Sequence, residues 1–135
     1  MESIQKKQNV ALLLLRIGIG TLFIVFGIMK LAGGSATWEA VGGSMQLVGI
    51  SAAPKFWGIV ASLTELIGGI SLLLGLYTRI GAILLLFTMI VAVLVKINFD
   101  GTLAGVASPL TMLIIMIFFA VGGSGRYSLD ARRLG

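Results

Sequence analysis

Neither cysteine nor histidine occurs among the 135 residues. The first absence excludes disulfides, thiol redox chemistry, iron–sulfur ligation and thiolate zinc sites within the chain. The second removes the usual haem ligand and the commonest transition-metal ligand. Only five acidic residues remain to hold a metal, so no metal site is expected and no redox cofactor is expected within the chain. Charge is scarce, at 11% of residues against about 25% in soluble domains. What is abundant is apolar: 58% of residues are hydrophobic and the mean hydropathy is +1.09, which places the chain in a lipid bilayer. The net charge of +5 would suggest nucleic acid in a soluble protein. Here the basic residues flank apolar runs and read as topology signals, and no nucleic-acid partner is expected.

Four apolar runs, about 10–31, 56–76, 80–95 and 102–121, predict an all-α integral membrane four-helix bundle forming one domain over 1–135. The first run is about 33 Å long as a helix, enough for one crossing. Arg16 would interrupt the apolar core of a cleavable signal peptide, so this run is read as a span. Residues 33–54 are rich in glycine and serine and read as a longer first loop with a short interfacial helix. Pro54 suits the first turn of the second span, "GLYTR" and "KINFDG" make short turns, and Pro109 predicts a bend in the fourth span. The closing "RYSLDARRLG" reads as a short polar tail. With both termini cytoplasmic, Lys6, Lys7, Arg79, Arg126, Arg132 and Arg133 lie inside, and Lys30, Lys55 and Lys96 outside.

One carboxylate, Glu65, sits inside the second span, where a charged residue costs about 2.5–3.5 kcal/mol on insertion scales. Gly58, Ser62, Glu65, Gly68 and Gly69 share a helical face, and small residues on such a face let another backbone approach closely. Glu65 should therefore point into the bundle. On the first span Arg16, Gly20, Phe23, Gly27 and Lys30 form a second stripe. Arg16 is the obvious counter-charge, although it lies about 9 Å from the inner edge and Glu65 about 16 Å, so direct pairing needs tilt, water or a long reach. Thr88 and Thr111 fall near the depth of Glu65, predicting a midplane polar layer of Glu65, Thr88 and Thr111 with Arg16 below it. Lys30 and Lys96 read as boundary charges that snorkel to the outer surface.

The stretches "LLRIGIGTLFIVFGIMKL", "ELIGGISLLLGLYTRIGAILLLFTMIVA" and "GSGRYSLD" resemble the DoxX family of small bacterial membrane proteins. The resemblance implies a four-helix protein of the bacterial inner membrane, in a class named for a subunit of thiosulfate:quinone oxidoreductase. Many members resemble one another in a histidine near the end of the third span, where Lys96 stands here, and in an acid near the start of the fourth, where this chain has "VASPLTML".

Three functions accord with these residues. The first is a non-catalytic subunit or scaffold of a membrane complex, associating with a second copy or a membrane-protein partner through its small-residue faces. The second is a quinone- or lipid-binding subunit of a membrane oxidoreductase, in which Glu65 and Arg16 hold a polar head and the electron carrier belongs to a partner. The third is a small transporter or channel in which Glu65 selects a cation or carries a proton.

Overall fold

The structure, a computed structural model, describes residues 2–134, with side chains from 3 to 133. Helix α1 (Glu2–Ala32) is followed by α2 (Gly34–Gly43), a 3-10 turn over Ser44–Val48, α3 (Pro54–Leu74), α4 (Thr78–Phe99), α5 (Leu103–Gly122) and α6 (Leu129–Leu134). Helices α1, α3, α4 and α5 are each long and apolar enough to cross a membrane. In hydrocarbon every backbone N–H and C=O must be satisfied within its own segment, which leaves the helix as the stable form for such sequences. No strand occurs among the described residues, and the fold is an all-α membrane bundle.

Local chemistry sets the helix ends. Pro54 opens α3, where a missing N–H is harmless. The same helix closes on Gly75, whose φ of +67° suits glycine: its N–H donates to Leu72 O while the N–H of Leu76 returns to Ser71 O. Thr102 caps α5 by accepting the N–H of Gly105 at 3.1 Å. α5 continues through Pro109 as one helix. α1 begins well before Val10 and α4 runs on past Val95 to Phe99, because the polar residues flanking each apolar run keep the helical hydrogen bonding outside the hydrocarbon.

Helix α1 packs antiparallel on α3 through glycine. A Cβ on Gly20 would fall 2.8 Å from Gly69 O, and one on Gly27 2.8 Å from Ser62 O, so the two backbones touch directly. Gly68 meets Leu85 across the α3–α4 contact. The core draws on all four spans: Phe23, Leu72, Leu85, Met116 and Phe119 are fully buried at its centre. The opposite faces, such as Ile67, Phe87 and Ile114, are exposed, as is expected of surfaces that meet acyl chains.

Two segments are more ordered than the sequence suggests. The glycine- and serine-rich 33–54 region is mostly helical: Gly42 of α2 abuts Pro54 and Gly58, while Gly58 lies under the Trp38 carbonyl and the Trp38 indole N–H donates to Lys30 O at 3.1 Å. Glycine is a poor helix former, but here it permits helix-on-helix contact that a side chain would block. The tail also folds back. Arg126 N–H donates to Asn9 Oδ1 at 3.1 Å, which brings the polar start of α1 and the tail to one end of the bundle, the tail end. α2 covers the other.

Candidate functional site

Glu65 lies at mid-length on α3, 1% exposed. Its Oε1 accepts a hydrogen bond from Lys30 Nζ at 2.6 Å. Gly27 packs level with Ser62 and Leu66, so the backbone of Lys30 stands about one turn nearer the α2 end than Glu65, and its stem descends along α3 to deliver the ammonium. The counter-charge of Glu65 is thus Lys30, a residue that reads from sequence as an outward boundary charge. A signal was available: Lys30 continues the Arg16–Gly20–Phe23–Gly27 stripe, and a lysine reaches a full helical turn beyond its own Cα.

The second carboxylate oxygen, Oε2, is buried and has no hydrogen-bond partner among the described residues. Leaving a buried acceptor unpaired costs about 1–3 kcal/mol, and more when it carries charge. Glu65 and Lys30 form part of the wall of a cavity of about 390 Å³ between α3 and α4. Helix periodicity explains the wall: Trp57, Ala61 and Glu65 recur at four-residue steps on α3, and Thr88, Ala92 and Lys96 do the same on α4. Met45, from the 3-10 turn, helps to roof it. The helices diverge here because the contacts that draw them together, Gly68 on Leu85 and Gly81 on Ser71, lie nearer the tail end.

The remaining expected members of the polar layer separate. Thr88 lines the cavity, with its hydroxyl donating to Leu84 O at 3.2 Å. Thr111 is exposed on α5, away from the cavity, and its hydroxyl donates to Ala107 O at 2.7 Å. A threonine hydroxyl in a helix satisfies itself on the preceding turn, so depth alone does not bring it to a shared site.

Arg16 is fully buried, but away from Glu65. Its guanidinium donates through Nη1 to Leu72 O at 3.1 Å and through Nη2 to Tyr127 O. The carbonyls of the last turn of α3 lack intrahelical donors and carry the negative end of the helix dipole, which a cation complements. Gly75 makes room, since a Cβ there would fall 2.3 Å from Arg16 Nη1. The start of α4 is served in the opposite sense. Asp130 Oδ1 accepts the N–H of Tyr77 at 2.7 Å and Oδ2 that of Thr78 at 2.9 Å, while the Asp130 N–H donates to Gly75 O at 2.8 Å. Burial alone would raise the Asp130 carboxyl, but the N–H groups of Thr78 and Tyr77, with Arg133 nearby, hold it below its ordinary range. The "GLYT" turn is therefore held from both sides, by α1 on the α3 end and by the tail on the α4 end.

The arrangement places a buried carboxylate, with one oxygen lacking a donor among the described residues, at the wall of a largely apolar cavity whose other polar members are Lys30, Ser44, Thr64, Thr88 and Lys96. Such a site suits a hydrophobic molecule with a single polar head. The DoxX family model matches residues 11–97. The chain is 31% identical over 126 residues to a Bacillus subtilis (strain 168) protein named "Putative oxidoreductase CatD", covering 93% of this chain and 88% of that one. It is 32% identical over 131 residues to "Uncharacterized membrane protein Rv3486" of Mycobacterium tuberculosis (strain ATCC 25618 / H37Rv), covering 87% of this chain and 78% of the other. No solved structure matches it. With the family match spanning α1 to α4 and both relatives covered over most of their length, this multi-pass membrane protein belongs to the DoxX family.

Proposed function

We propose that this protein is a non-catalytic membrane subunit that binds a quinone, in its reduced quinol form, and presents it to an oxidoreductase partner in the bacterial inner membrane. The observation that carries this reading is the Glu65 carboxylate, buried at the wall of a largely apolar cavity and tied to Lys30 through Oε1, while Oε2 has no donor among the described residues. A quinol hydroxyl supplies the missing donor, the apolar wall between Trp57 and Phe87 takes the ring, and the isoprenoid tail continues into lipid. Cysteine and histidine are absent, so electron carriers come with the partner. The name of the Bacillus relative supports the link to an oxidoreductase. A lipid with a hydroxyl head would satisfy the same oxygen, and the experiment separates the two.

Trp57 lines the cavity and reports on its contents. Titrating the detergent-solubilised protein with a short-tailed quinol should quench its fluorescence saturably, whereas a fatty alcohol of similar length should not compete. Glu65→Gln should weaken quinol binding about tenfold, the value of one hydrogen bond to a charged group. Ala61→Phe, which fills the cavity, should abolish binding. Quenching that neither variant alters would remove the cavity from this role, and competition by the alcohol would make the ligand a lipid.

A further inference from the structure

A second cavity, of about 460 Å³, opens at the tail end between the first turn of α4, the last turn of α5 and α6. Two guanidinium groups line it, Arg79 and Arg133, with one carboxylate, Asp130. Both oxygens of that carboxylate are engaged by the N–H groups of Tyr77 and Thr78, and its contact with Arg133 is long, at 3.7 Å. Arg79 has no acidic partner among the described residues. Arg133 is held in place by stacking over the Tyr77 ring, 4.4 Å from its centroid. The cavity is therefore positively charged, and it sits where a membrane-spanning helix begins, at the level of lipid headgroups.

Tyr77 and Ile80 line both this cavity and an apolar groove of about 430 Å³ that runs along the α3–α4 seam. The groove extends on α3 from Leu74 to Val60, a distance of about 21 Å along the helix axis. One leaflet of hydrocarbon is about 15 Å deep, so the groove accommodates an acyl chain over its full depth. A basic headgroup cavity thus joins, through shared residues, to a groove of acyl-chain length.

We infer that an anionic phospholipid occupies this composite site, its phosphate between Arg79 and Arg133 and one acyl chain along the α3–α4 groove. Charge complementarity selects the head, and the continuity of cavity and groove selects a lipid over free phosphate. At its far end the groove reaches Val60, Thr64 and Leu84, which also line the Glu65 cavity, so the bound chain borders that cavity whatever the cavity itself holds.

The test is native mass spectrometry of the full chain in mild detergent with equal amounts of phosphatidylglycerol and phosphatidylcholine of matched acyl chains. The wild type should retain the anionic lipid in preference by roughly fivefold or more for each arginine engaged. The double variant Arg79→Gln/Arg133→Gln should retain the two lipids equally. Arg126→Gln/Arg132→Gln, which removes the same charge from outside the cavity, should keep the preference. Equal retention by the wild type, or an equal loss in both double variants, would overturn the proposal. So would displacement of the bound lipid by excess inorganic phosphate, which would make this a free-anion site. Should the first double variant fail to fold, a phosphatidylglycerol with a photoreactive acyl chain provides the test on wild type. Labelling concentrated between residues 60 and 84 is expected, and labelling spread evenly over α1 and α5 would refute it.

Discussion

At the scale of single residues, the bundle handles its buried charges by two different means. Arg16 gives two guanidinium N–H groups to the backbone carbonyls of Leu72 and Tyr127, with its Nε unpaired among the described residues, and Glu65 takes one lysine ammonium. The second arrangement leaves an oxygen unpaired and borders a cavity, which a purely structural ion pair does not require. Removing one partner of a buried pair usually costs about 3–5 kcal/mol, while replacing both by apolar residues is often neutral. The Lys30 side chain is 34% exposed and can retreat to the boundary, which lowers the cost of losing its partner. Glu65→Leu should therefore lose about 2–3 kcal/mol of thermal stability in detergent, and Lys30→Met/Glu65→Leu should recover most of it. Quinol quenching of Trp57 should be lost in both. A double variant that is stable yet still binds would separate the ion pair from the site.

At the scale of elements, the short helix α6 acts on the far longer α4. Asp130 caps the first turn of α4 from 52 residues away, where a local residue would ordinarily do so, and it places negative charge at the positive end of that helix. The local residue, Tyr77, adopts φ +51° and gives no side-chain cap. Asp130→Asn, which removes the charge and turns one of two accepting oxygens into a donor, should lower stability by about 1 kcal/mol. Because the folded-state carboxyl titrates below its ordinary value of 3.8, its contribution is complete only above about pH 5 and disappears as pH falls through the folded-state value. The stability difference between wild type and Asp130→Asn, followed by thermal unfolding, should hold from neutral pH down to about pH 5 and then close. A difference that widened on acidification would contradict the assigned role.

At the scale of the whole molecule, one end gathers the start of α1, the tail, the "GLYT" turn and most of the positive charge, while the other carries α2 and the roof of the Glu65 cavity. Lys30, counted as an outward charge when the sequence is read alone, is partly neutralised by Glu65, which sharpens the asymmetry. By the positive-inside rule, the excess of arginine and lysine at the tail end predicts that this end faces the cytoplasm. The chain has no cysteine of its own, so Lys7→Cys, Ser51→Cys and Arg132→Cys give a clean background. In intact cells an impermeant thiol reagent should label Ser51→Cys from outside and leave the other two unlabelled until the membrane is opened. The reverse pattern would invert the orientation.

The same glycines show how much of this could be read in advance. Gly20, Gly27, Gly58, Gly68 and Gly69 stand out in the sequence as surfaces of close approach, and in the structure they meet other parts of this chain: α1 on α3, α2 on α3 and α3 on α4. They are consumed inside the bundle, which removes them as the surface through which a partner would bind. Periodicity says which face is small, not which helix covers it.

The sequence by itself determined that the chain lies in a membrane, that it is helical, and that Glu65 faces inward, because hydropathy, the need for internal hydrogen bonding in lipid and the expense of an exposed charge each act through local residue order. Only the tertiary structure decided that Lys30 answers Glu65, that Arg16 and Asp130 serve the two sides of one turn, that Thr111 faces away, and that α3 and α4 part to leave a cavity. Those pairings join residues far apart in the chain, and they depend on the register in which the glycine faces seat α1 against α3 and α3 against α4.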